Sequence, residues 1–190
     1  CGSYYIDMLN ALVYKFNCPG GWANLAGPYK NKILGGETIR LSSTQLQTSV
    51  QGPQGSVSWA PVDGLVYTVV APPGYKAMAF IKAWGAVRKL QVNDDYNYAK
   101  FDFKIGTPPI FQLKWQTVSM GPTGPAPDNH QDLVKWSISK AMDLGNGKRI
   151  EVFGGQKTLT KTGLGSIVLT NGPGTPEQAH MEIMVVYVKN

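Results

Sequence analysis

Residues 64–90 constrain the fold more than any other part of the chain, because no other segment is hydrophobic over so long a run. Two apolar runs flank a turn sequence, Ala71-Pro72-Pro73-Gly74. The first run contains β-branched and aromatic residues that fit a pleated strand, namely Val66, Tyr67, Val69 and Val70. The second alternates between two faces, with Ala77, Ala79, Ile81 and Ala83 on one and Lys76, Met78, Phe80, Lys82 and Trp84 on the other. Small residues let another layer approach closely, so we place both strands at the centre of a β-sandwich.

Turn-forming residues divide the rest of the chain into many short strands. The strands are predicted near residues 38–41, 44–50, 57–60, 65–70, 75–87, 98–105, 110–118, 133–141, 149–153, 165–170 and 181–188. Long Gly/Pro-rich loops separate several of them, and the doublet Gly154-Gly155 is predicted to be a turn. Because no strand–helix alternation is present, the pattern predicts an all-β protein, an antiparallel sandwich or barrel. The last strand is apolar on both faces, which indicates a covered strand or a subunit contact.

The N-terminal segment has a different pattern, with apolar residues at helical spacing between residues 4 and 16. Ser3 is a suitable N-cap, and Cys18-Pro19-Gly20-Gly21 ends the element. We therefore predict a short amphipathic helix and a connecting arm over residues 1–36, followed by a single sandwich domain over residues 37–190. The two cysteines, Cys1 and Cys18, are a candidate disulfide, although their spacing also allows both to be free.

The charge pattern argues against a dedicated nucleic-acid arm. Charged residues make up only 16% of the chain, and its net charge of +6 is spread over scattered lysines and arginines. No block of five or six basic residues occurs, and no apolar run approaches the ~20 residues that span a bilayer. The sequence is thus compatible with nucleic acid or lipid as a partner only if its spread positive charge attracts them.

Catalytic and metal-binding patterns are weak. Asp128, His130 and Asp132 lie close together in a Pro-rich loop, but their spacing matches no established metal pattern. The Gly/Lys segment at residues 145–148 lacks P-loop spacing and is predicted to be a hairpin turn. We predict no enzyme, cofactor, metal or small-molecule substrate. Tyr96 and Tyr98, next to a run of Asn and Asp, form a candidate sugar platform.

The predicted helix at residues 4–16, the many strands with Pro/Gly-rich loops, the low charge and the hydrophobic strand at residues 181–188 resemble the single jelly-roll capsid proteins of icosahedral viruses. This resemblance implies a jelly-roll sandwich, self-assembly into a shell, other virion proteins as partners, and a place in the virion. The candidate subunit contacts are Tyr5, Met8, Leu12, Phe16, Phe80, Trp84, Met184 and Val186.

Two other functions fit parts of the sequence. A carbohydrate-binding module or lectin-like adhesion domain, secreted or on a cell surface, would use the tyrosine platform. The chain also resembles actinoporin-type pore-forming proteins in its size, basic pI, N-terminal helix and aromatic content, which would imply a membrane target. The Trp/Tyr-dense loop with which that family binds membranes is not found in this sequence.

Overall fold

In a computed structural model, the structure describes residues 4–7, 12–17, 19–24, 33–49, 58–89, 97–106, 116–120, 133–158 and 167–190. Every regular element in these ranges is a strand. They are β1 (Tyr4–Asp7), β2 (Leu12–Asn17), β3 (Gly21–Asn24), β4 (Ile33–Ser42), β5 (Gln47–Ser49), β6 (Ser58–Val70), β7 (Tyr75–Lys89), β8 (Asn97–Ile105), β9 (Gln116–Met120), β10 (Val134–Gly145), β11 (Gly147–Thr158), β12 (Ile167–Thr170) and β13 (His180–Lys189). The all-β prediction is therefore confirmed at the level of an antiparallel architecture.

The predicted N-terminal helix is wrong. Residues 4–7 and 12–17 are strands β1 and β2, which pair antiparallel, and β2 also pairs with β3 in a three-stranded sheet. The segment is rich in Tyr, Ile, Val and Phe, residues that fit a pleated surface, and pairing with a neighbouring strand outweighs a weak helical spacing. Tyr5, Leu12 and Phe16 thus lie on strands.

Strand pairing is nested along the chain. β4 pairs with β13, β5 with β12, β6 with β11, β7 with β10 and β8 with β9, all antiparallel. Further pairing joins these strand pairs into two sheets. The larger sheet has the order β4-β13-β7-β12-β5, and β10 also pairs with β7. The other sheet has the order β6-β11-β8-β9. The chain is thus folded like one long hairpin that has been rolled up.

The turn at Ala71-Pro72-Pro73-Gly74 is confirmed, with Gly74 at a φ of 80°. It connects two sheets, however, because β6 is an edge strand of the four-stranded sheet while β7 lies inside the larger one. Only β7 therefore has the central place that the sequence suggested for both strands. The two predicted strands at 57–60 and 65–70 are one continuous strand, β6, with a register shift in its pairing to β11.

The core lies between the two larger sheets. β7 contributes Ala77, Ala79, Ile81 and Ala83, all buried as the alternation predicted. The indole of Trp136 on β10 stacks on the ring of Phe101 on β8, with 3.8 Å between ring centroids and 7° between planes. This contact joins the sheets at close-packed distance.

Two glycine predictions had different outcomes. The hairpin turn Gly145-Asn146-Gly147 is confirmed between β10 and β11, with both glycines at positive φ. The predicted turn at Gly154-Gly155 is wrong, because both residues lie inside β11 and pair with β6 and β8. A Cβ on Gly154 would lie 2.9 Å from Phe101 Cε1, so close packing, and not a turn, requires glycine there.

Candidate functional site

The larger sheet has an outer face, turned away from the core, on which four of the predicted contact residues meet. The core contains the buried β13 residues Met181, Ile183 and Val185, so the intervening residues of this strand point outward. The register places each of them opposite an outward residue of β7. The pairs are His180 with Trp84, Glu182 with Lys82, Met184 with Phe80, and Val186 with Met78.

Four apolar side chains occupy the middle of this face, and we call Met78, Phe80, Met184 and Val186 the apolar centre. Met78, Phe80 and Met184 are half-buried, whereas Val186 is only 5% exposed. The Met184–Phe80 row continues onto the flanking strands with Thr38 and Ala141, whereas the Val186–Met78 row continues with Gly36 on β4 and the charged Asp143 on β10, all exposed. The result is an apolar band on a surface outside the core, in which the row Thr38–Met184–Phe80–Ala141 crosses four strands without a charge.

Ion pairs border the apolar centre on both sides. Arg40 Nε lies 2.7 Å from Glu182 Oε2, on the side toward Trp84. Lys76 Nζ lies 3.2 Å from Asp143 Oδ2, on the opposite side. Exposed pairs of this kind add little to stability, but they surround the apolar band with polar groups.

Asp143 has the clearest electrostatic perturbation of this border. Partial burial pushes its pKa upward, whereas the hydrogen bond from Gly145 N (2.8 Å) and the Lys76 ammonium push it downward. The net pKa lies below the ordinary value for aspartate. Asp143 is therefore ionised at neutral pH and stabilises both the ion pair and the β10–β11 turn.

A groove of about 400 Å³ opens at the other end of the outer face. We call it the Trp84 groove, and its lining residues are Lys82, Trp84, Gly85, Lys135, Trp136 and Ser137. The His180 ring stacks beside Trp84 at 5.5 Å between centroids, and Ser42 Oγ lies 2.9 Å from His180 Nδ1. Lys82 Nζ lies 5.3 Å from the centroid of the Trp84 ring. The groove thus combines a braced aromatic ring with ammonium groups.

The other predicted site residues are not brought to this face by the described structure. Cys1, Met8, Cys18, Tyr96 and the loop histidine His130 lie outside the described residues, as do Asp128 and Asp132. Tyr98 is in β8, opposite Lys157 and Ser119. The disulfide and the tyrosine platform therefore stay predictions.

Sequence reasoning missed Lys135, Ser137 and His180 as neighbours of Trp84. They reach it from β10 and β13, about 50 and 95 residues further along the chain, through antiparallel pairing that spacing alone does not reveal. The polar character of Lys135, Ser137 and His180 at outward strand positions was the one available hint.

Two negative findings apply to the described ranges. No group of three His, Cys, Asp or Glu side chains within them is placed to hold a metal ion. Nor does any helix in that part of the chain have the length and apolar character needed to cross a membrane.

Fold and site together define an antiparallel β-sandwich protein with an apolar-centred outer face. No protein-family model matches the chain, and no curated protein does either. Among solved structures, similarity at low scores is found to those of infectious bursal disease virus. The Gx strain structure gives a TM-score of 0.42 and 8% identity over 93% of this chain and 46% of the other.

Two further structures have TM-scores lower than that of the Gx strain structure. The VP2 subviral particle of infectious bursal disease virus gives a TM-score of 0.40 and 10% identity over 90% of this chain and 42% of the other. Eiger TNF from S. frugiperda gives a TM-score of 0.28 and 10% identity over 80% of this chain and 92% of the other. This chain spans less than half the length of those two viral chains, and likenesses this distant carry no function over to it.

Proposed function

We propose that this chain is a structural subunit of a virion, a jelly-roll β-sandwich whose activity is self-assembly into a shell. The nested pairing supports the jelly-roll assignment. Counting β4, β6, β7, β8, β9, β10, β11 and β13 as strands one to eight, the sheet orders are 1-8-3-6 and 2-7-4-5. A rolled hairpin of eight antiparallel strands in two sheets is the jelly-roll architecture.

The apolar centre is the observation that carries the proposed assembly. Met78, Phe80 and Met184 retain exposure in the middle of a sheet face, although the core between the sheets is complete without them. A protein–protein contact is built in this way, with an uncharged middle that loses water on association and a polar border. The ion pairs Arg40–Glu182 and Lys76–Asp143 provide that border.

A shell also needs a second contact, because one isologous interface closes after two copies. The outer edge strand β6 offers candidate residues for it. Val66 is 40% exposed and Val70 is 68% exposed, and both lie in the half of β6 that follows Gly64. Within the described residues β6 has one strand neighbour, β11, and the half of its other edge that follows Gly64 is proposed to pair with another copy.

Assembly is tested by the size of the particle in solution. Sedimentation velocity and negative-stain electron microscopy of this chain should show closed species of many copies. Phe80→Glu places a charge in the apolar centre and should leave folded, small species. Thr38→Glu, at an exposed position in the same row, should do the same without changing a half-buried side chain.

Gln45→Glu is the matched control, since it adds the same charge at an exposed loop position away from the face and should assemble normally. A wild-type chain that stays a single copy at every concentration and salt level would refute the proposal. If Phe80→Glu and Thr38→Glu both form normal particles, the apolar centre is not the contact through which the subunits assemble.

A further inference from the structure

We propose that the Trp84 groove binds an acidic sugar, a pyranose ring that carries a carboxylate or a sulfate group. The site differs from the apolar centre in position and in chemistry. Phe80 and Trp84 are four residues apart on β7, which corresponds to about 13 Å along a strand. A ligand in the groove thus lies beside, and not on, the apolar centre.

The stacking surface for the ring is the indole of Trp84. Its position is braced on one strand side by His180, which is itself held by Ser42. A half-buried aromatic side chain that is already held in place loses little conformational freedom when a ring packs on it. The apolar face of a pyranose is complementary to such a surface.

The charge of the groove selects an anion. Its two ionisable lining residues, Lys82 on β7 and Lys135 on β10, are both cationic. In the part of the chain that the structure describes, neither forms an ion pair, and Glu182 opposite Lys82 is bound to Arg40. Both lysines are exposed, so an anionic group of the ligand can reach their ammonium groups, and a charge-assisted hydrogen bond is stronger than a neutral one.

The dimensions favour a sugar over a nucleic-acid strand. A cavity of about 400 Å³ suits a small ligand of one or two rings. Single-stranded nucleic acid needs a basic track with successive stacking residues. Beyond the row that Lys82 shares with Glu182, the outer face continues instead into the apolar centre.

The test is a calorimetric titration of the full chain with four probes: 3′-sialyllactose, a 6-sulfated N-acetylglucosamine, lactose and a thymidine hexanucleotide. We expect one or both acidic sugars to bind at least tenfold more tightly than lactose or the hexanucleotide. The two acidic probes separate a carboxylate ligand from a sulfate ligand. Equal binding of lactose, or tighter binding of the oligonucleotide, would overturn the proposal.

Variants locate the site. Lys82→Gln and Lys135→Gln should each weaken the acidic sugar roughly tenfold, the effect of losing one charge-assisted bond. Trp84→Ala should abolish binding and Trp84→Phe should keep part of it. Lys148→Gln, at an exposed lysine on β11, is the control and should bind as wild type. Unchanged binding by both groove lysine variants would refute the assignment.

The inference stands apart from the assembly proposal. Phe80→Glu subunits, which are expected not to assemble, should bind the acidic sugar with wild-type affinity. A failure of assembly with intact sugar binding, or the reverse, therefore separates the two ideas.

Discussion

Gly154 shows how a single residue makes room for an aromatic contact between the two sheets. It lies in β11 on the face that meets the core, where Phe101 fills the space that a side chain would take. Phe101 in turn stacks on Trp136 of the opposite sheet. The absence of a side chain at Gly154 thus leaves the space in which the Phe101 ring packs.

Gly154→Ala should destabilise the protein by about 1–3 kcal/mol, because the added methyl overpacks a dense core. Urea unfolding followed by far-UV circular dichroism measures the change. Phe101→Leu in the Gly154→Ala background should recover part of the loss, because the two sites are in contact. An alanine variant as stable as wild type would mean that Phe101 has room to move.

Asp143 makes the stability of the folded protein depend on pH. Its folded pKa lies below the ordinary value of about 3.9, so its contribution is present above that pH and is lost as the pH falls through the folded pKa. Asp143→Asn keeps an oxygen for Gly145 N–H but removes the charge that faces Lys76.

Because the pair is largely exposed, Asp143→Asn should lower the free energy of unfolding at pH 7 by less than about 1 kcal/mol. Unfolding curves at a series of pH values should show that the free energies of unfolding of the wild type and the variant become equal below the folded pKa of Asp143. A difference that persists undiminished at strongly acidic pH would contradict the ion-pair explanation.

At the scale of the element, β6 is protected along only half of its outer edge. The side chain of Gln47 takes the place of a neighbouring strand, since Nε2 donates to Pro61 O at 2.6 Å and Oε1 accepts from Asp63 N at 3.0 Å. Thr44 Oγ1 adds a hydrogen bond to Asp63 Oδ2 at 2.8 Å. The half that carries Val66 and Val70 has no such side-chain cover among the described residues.

Gln47→Ala should destabilise the protein by about 1–2 kcal/mol, because it removes two hydrogen bonds from backbone groups of β6. Chemical denaturation measures this change, with Gln45→Ala as the control at an exposed position in the loop just before β5. Equal midpoints for the two variants would show that water replaces the Gln47 amide without cost.

The elements also show where sequence reasoning succeeded. β7 was predicted almost to its ends, because its alternation is long and its turn has a clear Pro-Pro-Gly pattern. β1 and β2 were predicted as a helix, because four-residue spacing of tyrosines and aliphatic residues is also compatible with two short strands. That ambiguity is resolved only by the partner strand.

For the whole molecule, β13 is the last strand in sequence and yet lies between β4 and β7. It contributes Met181, Ile183 and Val185 to the core and pairs on both edges. The nested pairing therefore cannot be completed before the C-terminal strand is present, and most stabilising contacts are distant in sequence.

Deletion of residues 181–190 should abolish cooperative folding. Three fully buried apolar side chains contribute about 1.5–3 kcal/mol each, and their sum is comparable with the whole stability of an ordinary domain. Circular dichroism and proton NMR of the truncated chain check this. Removal of Lys189 and Asn190 alone, both exposed, should leave a folded protein.

Local sequence determined the all-β class and, for β7, which face enters the core, because alternation is a property of consecutive residues. It also placed Phe80, Trp84, Met184 and Val186 as contact candidates, and the structure unites them on one face. Only tertiary structure decided that β13 joins β4 to β7, that Gly154 is a packing position, and that Lys135 and His180 meet Trp84. The physical reason is that register between distant strands depends on the fit of whole faces, which no short segment contains.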